Sequence, residues 1–144
     1  MPEYKYAERF KSLPECPPPN NPAGGVVYRL VHNPIIEDDF LPNPEREKNK
    51  GNQHEQPPSC TAWGLSLFTT AAALQKKFGK LLGKYPNLAN DVGNHIAEGT
   101  LVDSHGVTTK PNKEHHLNLF EFQGPNLAPV FRLVGPIQVV VRAQ

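Results

Sequence analysis

Residues 59–84 read SCTAWGLSLFTTAAALQKKFGKLLGK, and the change of period inside them decides the fold class. Residues 62–68 alternate around Trp63, Leu65 and Leu67, the period of two of a half-buried strand. Beyond residue 70 the period becomes helical. Thr69 or Thr70 supplies an oxygen for the free amides of a first turn, and residues 71–82 are rich in strong helix formers. At about 100° per residue, Ala71, Leu74, Phe78, Leu81 and Leu82 share one arc, and Lys76, Lys77, Lys80 and Lys84 share the opposite one. The spacing predicts a helix over about residues 70–83 with its lysines in water. Gly83 is placed to close it in the left-handed conformation.

Upstream, the chain is dominated by proline. Of the 16 prolines in 144 residues, all but five precede residue 59, so long helices are not expected there. Residues 1–24 are read as a proline-rich leader: Tyr6, Phe10 and Leu13 suit one helical turn, and PECPPPNNPAGG beyond them suits an extended connector. Residues 26–32, VVYRLVH, form the first strand, with Val27, Arg29 and Val31 on one face. An arginine between two valines either snorkels to water or holds an anion from a rigid strand. Residues 33–59 have little periodicity. Ile35, Ile36, Phe40 and Leu41 are expected to pin their first half, and residues 45–56 to be mobile.

Downstream, Pro86 suits the first turn of a short second helix within residues 85–93. Strands are expected at 95–102, 107–109, 114–122, 130–134 and 137–141, the last with Ile137, Val139 and Val141 facing in. The order predicts one α+β domain over residues 25–144. Its sheet is largely antiparallel and bent or split, with one main amphipathic helix.

Charge and composition exclude more than they assign. A formal net charge of +1 gives no field to favour nucleic acid. No apolar run reaches the roughly 20 residues of a membrane span, and residues 1–11 lack a secretory core, so a cytoplasmic protein is expected. On that expectation Cys16 and Cys60 are read as free thiols. Phosphate-cradling and nucleophile-elbow motifs are missing. His105, His115, His116 and Cys60 invite a metal, but adjacent strand residues point to opposite faces, and no metal is expected. A serine-type hydrolase would need Ser66 or Ser104 beside a histidine and a carboxylate.

One pattern extends over distance. Tyr28 and Arg29 lie on the first strand, Ser66, Phe68 and Thr69 lie where the central strand enters its helix, and Glu98, His116 and Glu121 lie on later strands. In this order the chain resembles the ADP-ribosyltransferase-like superfamily over about residues 25–122. The resemblance implies NAD as substrate and cleavage of its nicotinamide–ribose bond, a reaction governed by positioning and electrostatics. It implies that Arg29 holds pyrophosphate or ribose, that Ser66 and Thr69 order the site, and that Phe68 or Tyr28 stacks on nicotinamide. Glu121 or Glu98 would stabilise the developing charge, with His116 replacing or assisting the acid. The alternative is a non-enzymatic adaptor that docks a protein partner through its leader, its 45–56 segment or a late strand edge. An exposed patch at Phe120, Phe122 and Phe131 would favour that reading.

Overall fold

In the computed structural model, which describes residues 3–18, 20–49 and 58–140, the change of period after Phe68 is a strand turning into a helix. Seven strands are present among the described residues: β1 (Asn21–Pro22), β2 (Gly25–Val31), β3 (Leu65–Phe68), β4 (His95–Leu101), β5 (Gly106–Thr108), β6 (His116–Glu121) and β7 (Phe131–Pro136). Four α-helices accompany them: α1 (Ala7–Phe10), α2 (Asn43–Asn49), α3 (Ala71–Lys84) and α4 (Leu88–Val92). Every strand pairing is antiparallel, in the open order β1-β5-β6-β3-β2-β4-β7. This is the expected α+β class. The sheet is weakest at its centre, where β2 and β3 pair only through Tyr28 and Phe68.

Alternation sorts the core into two layers. Val27, Val31, Leu65, Leu67, Ala97, Leu117 and Leu119 form one cluster, which Phe40, Leu127 and Phe131 complete. On the opposite face, Leu30, Phe68 and Ile96 meet Leu74 and Leu82 of α3. Thr70 caps that helix, its hydroxyl oxygen accepting from the Ala73 N–H at 3.1 Å. The four predicted surface lysines are exposed.

Gly83 does not close α3. The helix continues to Lys84, and the Tyr85 N–H donates to the Leu81 carbonyl at 2.7 Å. Gly79 and Gly83 instead leave room for the chain after β7, because a Cβ on Gly83 would stand 1.9 Å from the Val140 carbonyl oxygen. Residues 137–140, which follow β7 and lie against α3, are not a strand. Ile137 is buried, but Val139 and Val140 are about half exposed, and the segment is bound to α3 by hydrogen bonds with the Gln75 side chain and to the Gly79 carbonyl. Val141, the last residue of the predicted strand, lies outside the described residues. The central strand is also shorter than its alternation suggests. Cys60–Trp63 form a 3-10 turn that places Trp63 among Phe10 and Phe120.

Two further expectations are corrected. Cys16 and Cys60 form a disulfide, with Cα atoms 5.6 Å apart, so neither is a free thiol. The free-thiol reading followed from cysteine count and compartment, neither of which sees that the 3-10 turn brings the two together. The described part of the leader is accordingly fastened to the domain: Phe10 is buried, Tyr4 bridges to Phe122, and β1 pairs with β5. Residues 45–49, expected to be mobile, belong to helix α2, which starts at Asn43-Pro44 and buries Arg46. The rest of the 45–56 segment lies outside the described residues. No helix among the described residues is long and apolar enough to cross a membrane.

Candidate functional site

The strand registers set four of the singled-out residues in a single row. His116 on β6 stands opposite Phe68 on β3, Phe68 opposite Tyr28 on β2, Tyr28 opposite Glu98 on β4, and Glu98 opposite Arg132 on β7. Side chains in such cross-strand pairs touch. The His116 ring meets Phe68 edge-on at 5.3 Å. The Tyr28 hydroxyl donates to Glu98 at 3.0 Å, and Arg132 binds the other oxygen of that carboxylate at 3.0 Å. These bonds, Arg132 first, hold the Glu98 carboxyl below its ordinary range, and Glu98 in turn raises the Tyr28 phenol.

One end of the row opens into a cleft of about 500 Å³. Its floor is Ser66, Phe68, His116 and Asn118, one wall is Lys77, Phe78 and Leu81 of α3, and the other is Leu41, Pro42, Asn43 and Arg46 with residues of the 59–64 turn. Arg29 reaches it from the weak seam. Continuing the β2–β3 register would set Ser66 against Leu30, but the ladder stops at Tyr28 and Phe68. The Ser66 carbonyl accepts from Arg29 Nη1 at 2.7 Å instead, while Arg29 Nε donates to the Asp39 carbonyl at 2.6 Å. Arg29 therefore repairs the sheet's unpaired acceptor and ties down the segment after β2.

The charge of the cleft is one-sided. Arg29 and Arg46 are each only 8% exposed, Lys77 stands opposite, and the described residues lining the cleft include no aspartate or glutamate. Burial and the neighbouring Arg46 charge push Arg29 down to about 10, so it stays protonated at neutral pH. The Lys77 ammonium lies 5.8 Å from the Phe68 ring centre. Burial, then Lys77, lowers His116 below its ordinary 6.5, leaving the ring neutral at pH 7. Its Nε2 lies 2.5 Å from Ser66 Oγ.

Of the residues proposed from sequence, the cleft unites Arg29, Ser66, Phe68 and His116. Tyr28, Thr69, Glu98 and Glu121 do not line it. Thr69 is engaged through its backbone, donating to the His115 carbonyl. Glu121 is 4% exposed under the leader, 3.9 Å from Lys5, and burial raises its carboxyl to about 7. Phe120 and Phe131 are buried and Phe122 is half-buried, so these three do not form the exposed patch that would favour docking. Among the described residues no cluster suits a metal ion, and Cys60 is committed to its disulfide.

Arg46, Lys77 and Asn118 were not singled out from sequence as site residues. Arg46 carried a signal, since Asn43-Pro44 is a helix start. Lys77 reads from spacing as a solvated residue of α3, and Asn118 carries no signal. Comparison with known proteins gives no match to any family model, curated protein or solved structure.

Proposed function

We propose that the protein binds a small molecule in this cleft through a phosphate or comparable anion. The observation that carries the reading is the pair Arg29 and Arg46, nine-tenths buried yet lining a cleft that has Lys77 opposite and no acid among its described lining residues. Guanidinium groups held in a dry, rigid setting are preorganised for phosphate oxygens. NAD is the first ligand to try, because Arg29, Ser66 and Phe68, three residues of the resemblance, share the cleft. The geometry favours binding over ADP-ribosyl transfer, since both candidate glutamates, Glu98 and Glu121, lie outside.

Isothermal titration with NAD, ADP-ribose and inorganic phosphate tests this. At least one is expected to bind wild type, and Arg46→Met should weaken it by roughly tenfold or more, the worth of one charge-assisted hydrogen bond. Arg46 is the better target because Arg29 also holds the sheet together. Failure of wild type to bind any of the three would overturn the reading. Nicotinamide release in the NAD sample separates transfer from binding.

A further inference from the structure

Ser66 Oγ and His116 Nε2 are 2.5 Å apart inside the cleft, on neighbouring strands whose register fixes the pair. A serine hydroxyl is a weak nucleophile until an adjacent base takes its proton. His116 is placed to be such a base in a two-residue arrangement, without the carboxylate of a full triad, since the described residues lining the cleft include no aspartate or glutamate. Its ring packs edge-on against Phe68, its main-chain N–H is held by Asn112 Oδ1 at 3.0 Å, and burial and then Lys77 outweigh the opposing charge of Glu114 and keep it unprotonated. Asn118 stands directly opposite Ser66 in the β3–β6 register and lines the same cleft, and its side-chain amide bonds to no other described residue. It offers N–H donors beside the hydroxyl.

We propose that Ser66 is a nucleophile, activated by His116, that cleaves an acyl ester bearing a negatively charged group. The dyad stands on its own geometry, and only the choice of an anionic ester rests on the proposed anion site. As Oγ bonds to the ester carbonyl carbon, its proton passes to His116 Nε2, and the Asn118 amide receives the developing oxyanion. The ester C–O bond then breaks, and the departing alkoxide takes the proton from His116. Water, deprotonated by the same nitrogen, attacks the acyl-serine; the proton returns to Ser66, and the acid leaves. The sum is ester and water to acid and alcohol, with no change of oxidation state. Arg29, through its bond to the Ser66 carbonyl, is a positioning residue for the nucleophile.

The test treats the folded full chain with a fluorophosphonate probe, para-nitrophenyl acetate and mono-para-nitrophenyl glutarate, and locates adducts by peptide mass spectrometry. Ser66 is expected to carry the adduct in preference to Ser59 and Ser104. Acylation of wild type should reach half its maximal rate below pH 6.5, where His116 loses its proton. His116→Gln should slow it by roughly a hundredfold or more, the usual range for a general base. The glutarate ester should react about tenfold faster than the acetate, and Arg46→Met should abolish that preference. A Ser66 adduct formed equally from both esters upholds the nucleophile and overturns the anionic substrate. No Ser66 adduct in folded wild type from any probe, or an unchanged rate in His116→Gln, overturns the dyad.

Discussion

Asp39 and Glu121 are both buried carboxylates, and their surroundings give them opposite characters. Asp39, 1% exposed, accepts from the Ile36 N–H at 2.9 Å and the His32 N–H at 3.1 Å, and its second oxygen lies 2.5 Å from His32 Nδ1. It is a structural anchor for the segment whose carbonyl Arg29 holds. Glu121 has one oxygen 3.9 Å from Lys5 and another with no hydrogen-bond partner among the described residues. Burial is the larger influence, and it moves the carboxyl from an ordinary 4.5 to about 7 despite the nearby Lys5 and Arg29. The folded state thus keeps a proton that the unfolded chain releases near pH 4.5. Between these values the native state binds more protons, so stability falls as pH rises. The contribution is complete below about pH 4.5 and lost by about pH 7, at a cost on the order of 3 kcal/mol. Glu121→Gln is expected to flatten the fall of unfolding free energy across that window in denaturant titrations. Parallel pH profiles for variant and wild type would contradict it. Sequence placed Glu121 on a late strand but not under the leader, because strand alternation says which face a residue takes and not what lies over that face.

Helix α3 shows how far periodicity goes and where it ends. Its apolar arc, its threonine cap and its wet lysines follow from local spacing, and the structure has all three. The role of Gln75, Gly79 and Gly83, four residues apart along one stripe, does not. The Gln75 side chain donates to the Gln138 carbonyl at 2.6 Å and accepts from the Gln138 N–H at 2.8 Å. The Val140 N–H donates to the Gly79 carbonyl at 2.9 Å. The two glycines let this backbone lie against the helix. In an isolated helix, glycine to alanine stabilises by about 1 kcal/mol. Here Gly83→Ala is expected to destabilise by about 1–3 kcal/mol, because its Cβ meets a backbone carbonyl. Hydrogen exchange should show faster exchange at the Gln138 and Val140 amides. A raised melting temperature with unchanged exchange there would count against this packing. A glycine late in a helix pattern reads as a stop, and only the tertiary neighbour shows that it is a contact.

At the scale of the molecule, the Cys16–Cys60 disulfide joins residues 44 apart and holds the leader beside the turn that forms one wall of the cleft. Closing a loop of that length removes on the order of 4 kcal/mol of chain entropy from the unfolded state. Cys16→Ser should lower stability by up to about that amount in guanidinium titration without reductant. Wild type should weigh two hydrogens less than its fully reduced form. An unchanged midpoint in Cys16→Ser would show that the bridge contributes nothing. The α+β class, the strand-to-helix junction, the main helix, most strand positions and the candidates Arg29, Ser66, Phe68 and His116 were legible in the sequence. Each depends on local period or on residue chemistry, which a linear reading preserves. What only the tertiary structure decided was the disulfide, the burial of Arg46, the seam between β2 and β3 that Arg29 fills, and the meeting of Ser66 with His116. The first and last depend on contacts 44 and 50 residues apart. Residues 59–84 therefore specify their own strand and helix, but the cleft beside them exists only once β2, α2 and β6 have closed around Ser66.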